Sequence, residues 1–158
     1  MQKIITKSFL FLFLFATVNC GFKVINESEN NSFSIQDIKT SGDKRINFKI
    51  KNNLLNYSNK DNQNILLIDL SARKTKNIKE KNIKNEITKY EIALDIDISF
   101  NLINTDTNYK INLSNKGDYL VVDSYSTTLN NEKKVIDDLA ENISEKILKK
   151  ISLKLNDI

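Results

Sequence analysis

The sequence has no His, no Trp and no Pro, and only one Cys, one Met and three Gly in 158 residues. Each shortage excludes some chemistry. Without His there is no Ser-His-Asp or Cys-His nucleophile pair, and the commonest zinc ligand is missing. Glycine stands only at positions 21, 42 and 117, so neither a phosphate-cradling Gly-rich loop nor a dinucleotide fingerprint can be written. A single Cys allows no disulfide within the chain, and stability has to come from a hydrophobic core. The length suits one domain of ordinary size.

What is abundant is Asn (23), Lys (22) and Ile (22). All three have A/T-rich codons, so the formal net charge of +4 does not by itself point to nucleic acid, and no nucleic-acid partner is expected.

The N-terminus reads as an address. Lys3 and Lys7 give a short positive stretch, followed by an unbroken apolar run from Phe9 to Ala16. That is the plan of a secretory signal peptide, and the run is too short to span a membrane. Four of the eight Phe fall here, at every second position from Phe9 to Phe15, and nothing comparable recurs. Cys20 follows directly. Its place resembles the bacterial lipobox, where the Cys is acylated and becomes the first residue after cleavage. Asn19 and Thr17 depart from the usual small residue before Cys and Leu three before it. Gly21, rather than Asp, follows the Cys, which in bacterial lipoproteins favours outer-membrane retention. The expected divisions are a leader over 1–19, a lipidated Cys20 and polar tether over 20–31, and one domain over 32–158. Loss of Lys3 and Lys7 with the leader takes the net charge from +4 to +2.

Within the domain, Phe33, Ile35 and Ile38 predict a short strand that breaks at Thr40–Asp43. Asp43 is placed to cap a helix beginning at Lys44. Ile46, Ile50, Leu54 and Tyr57 recur at helical spacing, although Phe48 with Ile46 and Ile50 also fits a strand. Ile65 to Ala72 is an apolar run of strand length. From Tyr90 to Leu102 every even-numbered residue is apolar and the odd ones are mostly polar, which predicts a long strand with one buried face. Residues 104–108 supply a turn, after which Tyr109, Ile111 and Leu113 resume the alternation. Tyr119, Val121 and Tyr125 carry it onward, with Gly117 read as a bulge or kink. The two long strands form an antiparallel hairpin. From Asn131 the period becomes helical, with Val135, Ile136, Leu139, Ala140, Ile143, Ile147, Leu148 and Ile151 on one stripe. The expected fold is α+β, a two-layer sandwich with a four-stranded, mostly antiparallel sheet and two helices on one face, in the order β-α-β-β-β-α.

This pattern resembles the LPS-assembly lipoprotein LptE family, especially its divergent alphaproteobacterial members. The resemblance rests on Cys20-Gly21-Phe22, on Gly42-Asp43-Lys44-Arg45 entering the first helix, on the alternation from Tyr90 to Leu102, and on Asp123-Ser124-Tyr125-Ser126 before the long helix. It implies a non-enzymatic outer-membrane protein that pairs with the LptD β-barrel, sits partly in its lumen and assists delivery of lipopolysaccharide, with lipopolysaccharide itself as a ligand. It implies no cofactor. An auxiliary lipoprotein of an ABC-type lipid transport system shares the same anchor and a small α/β domain, and stands as the alternative.

One local feature suggests a binding surface. Arg73, Lys74, Lys76, Lys79, Lys81, Lys84 and Lys89 place seven cations in seventeen residues, against Glu80 and Glu86 alone. The strand assignment makes this the loop between the second and third strands. A right-handed β-α-β crossover puts it at the end of the domain far from the anchor. Such a loop suits phosphorylated sugar headgroups or a polyanionic barrel lining. The other reading is a solvated hairpin tip in a lysine-rich chain. Asp95 and Asp97 share a strand face with Glu91, Ser99 and Asn101, and read as solvated surface rather than a catalytic pair. Asp137 and Asp138 fit the dipole at the start of the last helix. Tyr109, Tyr119 and Tyr125 read as core or cross-strand packing. No catalytic residue and no metal site is expected.

Overall fold

The computed structural model describes residues 33–59, 62–103, 105 and 107–156. The leader, Cys20 and the tether lie outside the described residues. The order is β1 (Ser34–Gly42), α1 (Lys44–Asn56), β2 (Ile65–Lys81), β3 (Ile87–Leu102), β4 (Asn108–Leu120) and α2 (Tyr125–Asn156). The strands lie side by side in sequence order. β1 is parallel to β2, and the pairs β2–β3 and β3–β4 are antiparallel. The α+β arrangement in the order β-α-β-β-β-α is as the pattern predicts.

Asp43 caps α1, its carboxylate accepting from the N–H groups of Arg45 and Ile46 at 3.0 Å each. Burial settles the helix-or-strand ambiguity. Ile46, Ile50 and Leu54 are buried, whereas Phe48 is 67% exposed. On the sheet, Leu66, Ile68, Leu70 and Ala72 of β2 and Ile92, Leu94, Ile96, Ile98 and Phe100 of β3 form one buried face. α1 and α2 pack on this face, α1 against β1 and β2, α2 against β4 and β3. The stripe Ile136, Leu139, Ala140, Ile143, Ile147, Leu148 and Ile151 of α2 completes the core. Each fully buried Leu or Ile of this kind contributes about 1.5–3 kcal/mol.

Four expectations are corrected. β2 runs through Lys81 instead of stopping at Ala72, because main-chain pairing with β3 continues from Arg73↔Asp95 to Lys81↔Ile87. β4 ends at Leu120 and α2 begins at Tyr125, so Tyr125 is an exposed helix residue and not part of a strand. The Ser124 hydroxyl accepts from the N–H of Thr127 at 3.4 Å and its carbonyl from Thr128 at 3.0 Å, which starts the helix six residues before Asn131, where the helical period begins in the sequence. Gly117 makes no bulge, since the β3–β4 register is regular from end to end. Its need is space. A Cβ there would stand 2.9 Å from Cγ1 of Val135, so glycine lets α2 lie close on β4. Finally, Asp137 lies three turns into α2, beyond reach of the N-terminal dipole, and instead pairs with Lys49 of α1.

Candidate functional site: a cationic strand and its hairpin tip

The cationic segment is not a loop. Arg73 to Lys81 form the second half of β2, Lys84 sits in the turn, and Lys89 belongs to β3. A strand sends successive side chains to opposite faces, so the sequence cluster is split in two. Arg73 and Lys79 point to the open face of the sheet, where Arg73 lies 3.6 Å from Asp97 and Lys79 pairs with Asp118. The Asp118 carboxylate, hydrogen-bonded to the Lys79 ammonium, holds its pKa above the ordinary lysine value. Lys74 and Lys76 point to the helix side.

Lys76 is held most firmly. Its ammonium stands 4.3 Å over the ring of Tyr90 and 5.2 Å over that of Tyr119, and donates to the Glu132 carboxylate of α2 at 2.7 Å. The Tyr119 hydroxyl donates to the same carboxylate at 2.8 Å. Tyr90 and Tyr119 are register partners and their rings stack at 5.6 Å, as Phe100 and Tyr109 do at 5.1 Å, so cross-strand packing accounts for both Tyr109 and Tyr119. Burial opposes charge on Glu132, but the hydrogen bonds from Lys76 and Tyr119 outweigh it and hold the carboxyl below its usual range. Burial likewise opposes charge on Lys76, and its own hydrogen bonding with Glu132 and Tyr119 holds its ammonium above the ordinary value.

The turn is built by Asn82. Its side-chain oxygen accepts from the N–H groups of Lys84 and Glu86, and its amide donates to Glu86 at 2.7 Å. Asn85 takes the left-handed conformation, φ 64°, which Asn tolerates better than most residues. Lys81 donates to Asn85 at 2.9 Å and Lys89 to Glu80 at 2.5 Å. Ile83 at the apex is fully exposed, flanked by Asn82 and Lys84.

Of the candidate cations, Arg73, Lys76, Lys79 and Lys89 are thus engaged with carboxylates, and Lys81 with an amide. No ion pair of Lys74 or Lys84 occurs among the described residues. Glu132 was not legible as a member of the site, because its contact with Lys76 spans 56 positions. The turn residues Asn82 and Asn85 were the available signal for the hairpin. On the open face, an open depression of about 360 Å³ has Lys39, Asp69, Ser71, Asp97, Ser99 and Lys110 among its lining residues. Asn112 donates to Asp97 there at 2.5 Å, so Asp97 belongs to a hydrogen-bonded surface. Among the described residues no three Asp, Glu, Cys or His side chains cluster as a metal site. No helix among them is long and apolar enough to cross a membrane.

No family model matches the sequence, and no curated protein sequence matches it. Solved structures do. Rare lipoprotein B from Shewanella oneidensis superposes with a TM-score of 0.57 at 14% identity, over 75% of this chain and 96% of that one. A Caulobacter crescentus CB15 protein described as a lipoprotein gives 0.57 at 14% identity, over 76% and 90%. Lipoprotein B from Nitrosomonas europaea gives 0.52 at 13% identity, over 80% and 88%. The likeness is one of fold. The three neighbours are lipoproteins by name.

Proposed function

We propose that this protein is a non-enzymatic outer-membrane lipoprotein, anchored through Cys20, that pairs with an LptD-like β-barrel and assists lipopolysaccharide assembly at the cell surface. The observation that carries the reading is the likeness to lipoprotein folds over nearly their whole length, 88–96% of each neighbour. The leader and the Cys that follows it agree with that class. So does the direction of the strands. β2, parallel to β1, carries its cations away from the end at which β1 begins.

Extraction of the outer membrane in detergent with a tagged copy tests the partner. Recovery of a large barrel at one-to-one stoichiometry is expected, and recovery of inner-membrane transporter subunits instead would overturn the reading in favour of an ABC-type auxiliary lipoprotein. Mass spectrometry of the N-terminus is expected to show acylation at Cys20. For the ligand, replacing Lys76, Lys79, Lys81 and Lys84 with Gln is expected to weaken lipopolysaccharide binding in a direct titration, with the fold kept. Lys76 also holds Glu132, so the pair Lys81→Gln and Lys84→Gln isolates the tip from the contact beneath it.

A further inference from the structure

β1 accompanies β2 only as far as the pair Gly42↔Ala72. There the chain turns away. Gly42 adopts φ +83°, the Asp43 N–H closes on the Ala72 carbonyl at 2.7 Å, and α1 begins. From Arg73 to Lys81 β2 is paired with β3 on one side, and no described strand flanks it on the other. All nine residues are exposed. Alternate residues of such an edge present unpaired N–H and C=O groups to solvent, which is a template for another strand.

The chemistry of the edge is one-sided. Arg73, Lys74, Lys76, Lys79 and Lys81 are positive, and Glu80 is the one negative residue of the nine. Cations project from both faces, so an added strand would meet them whichever way its own side chains alternate. A second copy of the same edge is repelled, and so is any basic strand. Ile78, half exposed in the middle of the run, adds one apolar contact. The carboxylates now paired with Arg73 and Lys79 form solvent-screened surface pairs, so exchange for an incoming carboxylate costs little.

We propose that the free edge of β2, Arg73 to Lys81, is a docking strand for an extended acidic segment of a partner protein, added to the sheet by main-chain hydrogen bonds with specificity from charge. The inference rests on this edge alone and stands whether or not the partner of the proposed function is a barrel.

The test uses the full chain purified in detergent and three synthetic probes of matching length. One alternates Glu and Val, a second is the same peptide N-methylated at two adjacent central residues to block both of its edges, and a third alternates Lys and Val. Fluorescence anisotropy is expected to show the acidic peptide binding at least about tenfold more tightly than either control. Hydrogen exchange is expected to slow within residues 73–81 and not along β4. The charge-reversed variant Lys74→Glu with Lys81→Glu, its fold checked by circular dichroism, is expected to lose binding by a similar factor. Equal binding of the methylated peptide would overturn the proposal, because charge without main-chain pairing is what a lipid phosphate group needs. Absence of binding by any peptide would overturn it too, and would leave the lysines as a device that keeps the edge unpaired. Protection confined to the β4 edge would move the site elsewhere and defeat the proposal equally.

Discussion

The two halves of β2 share one strand and one partner, β3, yet they differ in almost everything else. Leu66 to Ala72 lie between β1 and β3 with α1 beneath, and their inward side chains are at most 2% exposed. Arg73 to Lys81 keep the pairing with β3 but lose the flanking strand, and every residue is exposed. The first half is held by burial, the second by the hydrogen-bond ladder and a few contacts such as Lys76 with Glu132. A strand can therefore persist well past its hydrophobic core, and the part that does so is free to meet something else.

Substitutions on the same face of the two halves should separate most clearly. Leu70 and Ile78 are both inward residues of β2, but Leu70 is 2% exposed and Ile78 is 51% exposed. Leu70→Ala is expected to cost about 2–5 kcal/mol from lost transfer energy and a cavity. Ile78→Ala, half in water already, should stay below about 1 kcal/mol. Urea denaturation measures both, and equal costs would remove the contrast.

Next in size is the boundary between the halves. At Gly42 a Cβ would stand 2.2 Å from the Ala72 carbonyl oxygen, and the positive φ disfavours any L side chain. Gly42→Ala is expected to destabilise by about 1–3 kcal/mol, through strain in the backbone that turns β1 into α1. An unchanged urea midpoint would show that the turn has slack and that the end of β1 is not fixed there.

A smaller effect is expected where the second half touches α2. The Glu132 carboxyl is held below its ordinary pKa, so its contribution is fully present above the unfolded value of about 4.3 and is lost as pH falls through the folded value. Glu132→Gln is expected to cost about 0.5–1.5 kcal/mol at neutral pH and to flatten the acid limb of the stability profile. A wild-type profile and a variant profile that run parallel below pH 5 would show that the contact with Lys76 and Tyr119 contributes nothing. The discriminating quantity is the difference between the two curves, since other carboxylates titrate in both.

The same contrast explains what the sequence reveals. Where burial selects one face, the period is visible: 3.6 along Ile46, Ile50 and Leu54, and two from Tyr90 to Leu102. Arg-Lys-Thr-Lys-Asn-Ile-Lys-Glu-Lys has no such period, because its strand state comes from main-chain pairing that side chains do not record. The first turns of α2 hide for a related reason. Tyr125 and Leu129 are exposed there, so no apolar stripe marks the start, and Ser124 as a cap was the one local sign. The cations read as a loop in the sequence but lie mostly on a strand, and their division between two faces follows only once that is known. Gly117 shows a different limit, since its cause lies in Val135 on another element.

The smallest stability effect belongs to the tip, and it sharpens the comparison from the other end. Ile83 is fully exposed and the turn around it is held by Asn82 and Glu86, so Ile83→Ser removes no buried surface and no hydrogen bond that shapes the hairpin. The urea midpoint should move by the equivalent of less than about 0.5 kcal/mol. Native-state hydrogen exchange should place the opening of residues 82–86 far below that of the paired core from Leu94 to Phe100, where opening requires global unfolding. Tip amides that exchange only as slowly as the core would mean that the second half is locked to the first. In that case the exposed edge from Arg73 to Lys81 would be a rigid extension of the core sheet, with no local freedom of its own to adjust to a partner.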